Sequence, residues 1–343
     1  MRVRSRLVAF WSAVWCALVL GGCAQHENNV AVGIGTRYYE FKAAKPYAAL
    51  YLPYARMSAL AYTNEQFLTS GKGPPRRGQL CPVGELLKNP ALADDRNPAE
   101  ANRQLAVWLE ELQRGGWECI FGRVGVRNCP TGEQCVDGLQ YHIWRRKDCR
   151  EAVLAFRGTD SDQIGDWITN LRWFQFRDVF DQYDQVQREV VKVVRRLRAS
   201  RCRPDTIIAT GHSLGGGLAQ HAAYTGGIDY VYAFDPSPVT GIFGVPFLTR
   251  QQSVERLGVD RIYESGEILS LPRYIVSGIY PSPQCRPRVR IVRFNVIDAP
   301  TFTERHRLTG LARGMERLAA GPRPSRLPHA FKEAATCDFV QRP

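Results

Sequence analysis

With 343 residues, 44% of them hydrophobic and 23% charged, the chain is long enough to bury a sizeable core, as one large α/β domain or as two smaller ones. Its formal charge of +13 is spread along the sequence. No arginine-rich block or base-reading motif accompanies it, which argues against nucleic acid as a partner and leaves anionic surfaces, or solubility alone, as the role of the positive field.

In chain order, Arg2, Arg4 and Arg6 precede the apolar run "LVAFWSAVWCALVLGG", which ends at Cys23. The run is shorter than the roughly 20 residues a bilayer core requires, so it reads as an export signal rather than a spanning helix. Leu20, Gly21 and Gly22 before Cys23 resemble the bacterial lipobox. That resemblance implies cleavage of residues 1–22, lipidation of Cys23 and a membrane-anchored protein facing the periplasm or cell surface; an ordinary secretory signal cut nearby is the alternative. Ala24 in place of aspartate after Cys23 further implies outer-membrane sorting, by likeness to bacterial lipoproteins. Cleavage removes three arginines and no acids, taking the formal charge from +13 to +10.

Residues 23–45 read as a tether, and 46–343 as one folded domain with a Cys-rich segment at about 81–149. "PYAALYLPYARMSALAYTNEQF" carries helical spacing and is followed by the loop "GKGPPRRGQLCP". "PAEANRQLAVWLEELQRGG" predicts a second helix stopped by Gly115 and Gly116. Three strands follow: "WECIFGRV", "LQYHIWRR" and "EAVLAFRG". A helix over "YDQVQREVVKVVRRLRAS" then leads to strands at "DTIIAT", "YVYAFD", "VDRIYES" and "VRIVRFNVI". Strands alternating with helices predict a mostly parallel sheet covered on both faces.

The eight remaining cysteines are Cys81, Cys119, Cys129, Cys135, Cys149, Cys202, Cys285 and Cys337. An even number in an exported chain predicts a disulfide framework, with pairing left open among roughly a hundred connectivities. No C-x-x-C pair and no histidine at ligand spacing points to a metal site, and none is expected.

Gly211-His212-Ser213-Leu214-Gly215 matches G-x-S-x-G, with a strand before it and a helix after it. This sharp turn lifts a serine above the sheet and aims a helix N-terminus at the developing oxyanion. Upstream, "AVLAFRGTDS" and "DWITNL" strengthen a resemblance to the α/β-hydrolases and, within them, to class three (fungal-type) lipases. The resemblance implies that Ser213 is the nucleophile and that Thr159 and the Leu214 N–H receive the oxyanion. No cofactor is implied.

On this fold the histidine follows the last strand. His306, which follows "VRIVRFNVI" across a short loop, is preferred to His329 in the Pro-rich tail; His26, His142, His212 and His221 belong to the tether, an early strand, the elbow and its helix. Two acids satisfy the order serine, acid, histidine. Glu267, 54 residues beyond Ser213, resembles the class three position, where the family normally has aspartate; Asp235, 22 residues beyond, resembles the pancreatic-type Asp-Pro turn. Glu267 is slightly preferred, and Asp235 is the alternative acid.

The expected function is hydrolysis of lipid esters, lipase or phospholipase A in type, through an acyl-enzyme. Trp167, Trp173, Phe174, Phe176, Phe180 and the segment "PVTGIFGVPFL" are candidates for a lipid-facing lid or acyl groove, or for core packing. Esters in solution are the alternative substrate, and a non-catalytic surface lipoprotein on the same fold is the alternative of another class. Nothing in the sequence specifies an oligomeric state.

Overall fold

The computed structural model describes residues 28–34, 39–62, 98–123, 127–128, 134–135, 139–158, 176–238, 244–254, 257–270 and 288–321. Eleven strands are described: β1 (Asn29–Ile34), β2 (Tyr39–Ala43), β3 (Trp117–Arg123), β4 (Arg127–Asn128), β5 (Gln134–Cys135), β6 (Tyr141–Arg146), β7 (Glu151–Phe156), β8 (Thr206–His212), β9 (Tyr230–Phe234), β10 (Gly258–Glu264) and β11 (Arg288–Phe294). The helices are α1 (Ala44–Leu60), α2 (Pro98–Arg114), α3 (Phe176–Arg198), α4 (Leu214–Thr225), α5 (Phe247–Val254), α6 (Phe302–Arg305) and α7 (Leu308–Ala319).

Nine strands form one sheet in the order β2-β1-β11-β10-β9-β8-β7-β6-β3. The five central strands, β7 to β11, run parallel to one another, while β1, β2, β6 and β3 extend both edges in antiparallel pairings. This is the α/β-hydrolase fold, with an elbow serine after a central strand.

Alternation of side chains along each strand explains why the central strands are apolar on both faces. Val153, Ala155, Ile208, Tyr232, Phe234, Ile262 and Val292 point into one core with α1, α2 and α7. Ala152, Leu154, Phe156, Ile207, Ala209, Val231 and Ala233 point into the other, against α3 and α4. A polar network crosses the first core: Asp260 and Arg290 are register partners on β10 and β11, joined by an ion pair, and the Tyr51 hydroxyl of α1 donates to Asp260 at 2.8 Å. Burying either charge alone would be costly, so the pair and its tyrosine bind α1 to one register of the two strands.

Part of the stretch read as a tether is sheet. Within residues 23–45, β1 pairs antiparallel with β11 and β2 with β1, so the folded part begins before residue 46. The physical reason is visible in "NVAVGI": Val30 and Val32, two apart, are both buried against the core below α1, which short apolar residues interrupted by glycine did not announce. Cys149 and Cys202 form a disulfide across the turns that precede β7 and β8, and Cys119 is likewise disulfide-bonded. The other predicted cysteine positions, Cys23, His26, His329, Trp167, Trp173 and Phe174 lie outside the described residues or have no described side chain. Among the described residues, no helix is long and apolar enough to cross a membrane.

Candidate active site

The site forms at the C-terminal edge of the parallel strands. β8 ends at His212, and Ser213 turns the chain with φ 55° and ψ −123°, a left-handed conformation that costs a non-glycine residue energy. The turn is held from three sides. Ser213 N–H donates to Phe234 O at 3.0 Å, while Ser213 O accepts from Gly216 N–H at 3.0 Å and from Ser237 N–H at 2.9 Å. The strain is thus offset by hydrogen bonds to β9, to α4 and to the turn after β9.

Glycine at 215 is a packing requirement. A Cβ there would overlap Phe156 O and lie 2.8 Å from the Arg157 carbonyl carbon. Glycines in the first turn of α4 lower its intrinsic helix propensity by about 1 kcal/mol each, and what they permit is the close approach of the helix to the end of β7. That approach brings residues 157–158 beside the elbow. Thr159, the next residue and an expected oxyanion donor, lies outside the described residues. Leu214 opens α4, so its N–H is among the first amides of a helix, which lack an intrahelical acceptor.

His306 reaches the site from the far end of the sheet. Beyond β11 the chain passes through Val296 and Ile297, whose N–H groups donate to the Glu264 carboxylate at 3.0 and 3.1 Å. The one-turn helix α6 follows, capped by Thr301, whose side chain accepts from Glu304 N–H at 3.2 Å. His306 is its C-cap and is 1% exposed. His306 Nδ1 lies 2.7 Å from Glu267 Oε2. A carboxylate only accepts, so Nδ1 carries the proton and the lone pair of the neutral ring lies on Nε2. Glu267 is itself positioned: Oε2 also accepts from Leu269 N–H at 2.8 Å, and Oε1 accepts from Ser270 Oγ at 3.1 Å.

Asp235 lies in the turn after β9, fully buried, with φ 38°. Its Oδ1 accepts from Glu264 N–H at 2.9 Å, and its own N–H donates to Ile262 O at 2.8 Å, contacts that join β9 to the end of β10. Of the two acids left open by the sequence, Glu267 is the one hydrogen bonded to the His306 ring. Glu264 is an acid that the sequence reading passed over. Burial, reinforced by the neighbouring Asp235 charge and opposed by the Val296 and Ile297 N–H groups, pushes its carboxyl up to about 8. Its only sequence signal is an acid at the end of a predicted strand.

His212 and Tyr62 were also missed. The His212 ring lies 4.7 Å from that of His306, centroid to centroid, and Tyr62, just beyond α1, reaches His212 through its hydroxyl at 3.2 Å. His212 stood inside the recognised pentapeptide, but no local pattern shows which way its ring points. Donor atoms of His212, Asp235 and His306 lie within 4.8 Å of one another, a spacing that would admit a cation. Both His212 nitrogens are engaged in hydrogen bonds, so a cation there would have to displace at least one of them.

Residues 131–234 match a phospholipase-like family model, described as a Tle-like phospholipase domain; the matched stretch includes Ser213 and ends just before Asp235. None of the curated proteins compared with the chain matches it. Among solved structures, the Lip2 lipase from Yarrowia lipolytica is similar at 16% identity and a TM-score of 0.35, over 66% of this chain and 73% of that one. An esterase from Pyrobaculum calidifontis is similar at 11% identity and a TM-score of 0.31, over 75% of this chain and 98% of that one.

Proposed function

We propose that the protein is a serine ester hydrolase acting on lipids, of lipase or phospholipase A type, with Ser213 as nucleophile, His306 as base and Glu267 as the acid that orients it. The observation that carries this reading is the convergence, at one sheet edge, of a strained elbow serine and a buried histidine whose Nδ1 is hydrogen bonded to a buried glutamate.

In the first step Ser213 Oγ bonds to the ester carbonyl carbon while His306 Nε2 takes the hydroxyl proton. The carbonyl oxygen becomes an oxyanion, received by the Leu214 N–H and by Thr159. Collapse breaks the bond to the alcohol oxygen, which leaves with the proton from His306. Water then attacks the acyl-serine, gives its proton to His306, and the second collapse releases the carboxylic acid and restores Ser213. Glu267 holds the imidazole with Nε2 toward the reacting atoms and stabilises the imidazolium of each tetrahedral step.

Two observations support a lipid substrate: the phospholipase-like match, and large apolar side chains left exposed in the helices that follow β9 and β11. Phe247 and Leu248, at the start of α5, are 49% and 69% exposed, and Phe302, four residues before His306, is 68% exposed. The working form in this proposal is the exported protein, held at a membrane by lipid on Cys23.

A fluorophosphonate probe tests the chemistry, with S213A as control, and product analysis on a panel of glycerides and phospholipid vesicles tests the substrate. Labelling of Ser213 and release of fatty acid from vesicles are expected. A folded protein that remains unlabelled overturns the enzyme reading in favour of a non-catalytic lipoprotein. Hydrolysis of short soluble esters without any response to vesicles makes it a carboxylesterase.

A further inference from the structure

His212 is 5% exposed and has both ring nitrogens engaged. Its Nε2 lies 2.8 Å from the main-chain oxygen of His306, a residue 94 positions away. A carbonyl only accepts, so Nε2 carries the proton and donates it. In the neutral ring Nδ1 is then the lone-pair nitrogen, and the Tyr62 hydroxyl, 3.2 Å away, donates to it. Tyr62 is held in turn: the Arg157 guanidinium lies 5.8 Å above its ring, and a Cβ on Gly158 would overlap its hydroxyl.

The contact is made where the chain passes from α6 to the buried start of α7. Helix α6 is four residues long and buries none of them, so its own packing does little to hold the residue that follows it. On the acid side the segment is well tied, by Val296 and Ile297 to Glu264, by Arg305 to Ala299 O and Ser265 O, and by the His306 ring to Glu267. On the serine side, the His212 hydrogen bond joins the main chain of His306 to the residue directly before Ser213.

Resting on the hydrolase reading above, we propose that His212 is a positioning residue: a neutral imidazole, oriented by Tyr62, that sets the reach between Ser213 and His306. Misplacing reacting groups by about 1 Å can cost on the order of a hundredfold in rate, which is the scale on which one such tether acts. Neutrality is part of the role. A protonated His212 would place a second positive charge beside the imidazolium that His306 becomes.

The test compares H212F, H212Q and Y62F on p-nitrophenyl butyrate, with thermal denaturation as the check on folding and fluorophosphonate labelling run in parallel. Phe removes both hydrogen bonds, whereas a Gln amide can donate to His306 O and accept from Tyr62. H212F is expected to lower kcat by about 10- to 100-fold with KM little changed. H212Q is expected to recover most of that loss, and Y62F to fall between them. A folded H212F with wild-type kcat overturns the proposal, as does a loss that H212Q does not recover. If H212F does not fold, Y62F decides, since it removes a single hydroxyl: a folded Y62F with wild-type kcat overturns the proposal. Failure of the underlying reading looks different. It leaves the wild-type protein itself unlabelled, whereas a labelled wild type matched in rate by H212F sinks this inference alone.

Discussion

Replacing Glu267 by Gln removes a charge without removing the atom that faces His306. Glu267 Oε2 accepts two N–H groups, from His306 at 2.7 Å and from Leu269 at 2.8 Å, whereas Oε1 faces the hydroxyl of Ser270 at 3.1 Å. A backbone N–H cannot become an acceptor, but a serine hydroxyl can turn and receive the new amide. The carboxamide is therefore held with its oxygen toward His306, and the ring keeps its Nδ1 proton. What is lost is the difference between a charge-assisted and a neutral hydrogen bond to the imidazolium, on the order of 1–2 kcal/mol. At about 1.4 kcal/mol per decade, kcat for E267Q should fall roughly 5- to 30-fold. E267A loses orientation as well as charge and should fall by about 10³- to 10⁴-fold. The assay is steady-state hydrolysis of p-nitrophenyl butyrate by variants whose melting shows them folded. D235N is the comparison. Its amide oxygen can still accept the Glu264 N–H and asparagine tolerates the positive φ, so it should stay within about threefold of wild type. A folded E267Q that loses 10³-fold would show that the amide flips and would refute the orientation argument. A greater loss in D235N than in E267Q would make Asp235 the acid.

Two further outcomes concern stability. The Cys149–Cys202 disulfide closes a separation of 53 residues, and in the chain-entropy account its loss costs about 4 kcal/mol. It lies at the N-terminal ends of β7 and β8, opposite Ser213, so C149S/C202S should lower the denaturant midpoint strongly and leave kcat unchanged; a stability loss under about 1 kcal/mol would contradict the estimate. Glu264 should make folding pH-dependent, because its carboxyl is raised from 4.5 to about 8 in the folded protein. The native state then binds the extra proton between those values, so this contribution is fully present below about 4.5 and is lost as pH rises through about 8. Thermal melts from pH 5 to 9 should show E264Q with a flatter dependence than wild type, and an unchanged slope would remove Glu264 as the cause.

The order of the central elements was legible in the sequence because β7, β8 and β9 are short apolar runs, because β10 and β11 interleave apolar with charged residues, and because the helices between them carry their own period. The edge hairpin β1–β2 was not, since two valines spaced by alanine and glycine become a strand only when β11 is present to pair with them. The site divides the same way. Ser213 is announced locally, by glycines that a sharp strand-to-helix turn requires and by the strand and helix on either side of it. The candidates Asp235, Glu267 and His306 are carried by three separate loops, and no spacing in the chain says which carboxylate will meet which imidazole.

By itself the sequence determined the elbow, the sheet that presents it and a short set of residues able to serve it, because those depend on neighbours in the chain. Only the tertiary structure decided that Glu267 lies on the His306 ring, that Asp235 joins β9 to β10, and that the His212 ring, contacted by Tyr62, meets the main chain of His306. Each of these is a contact across 29 to 150 residues, set by which loops the parallel strands deliver to one edge.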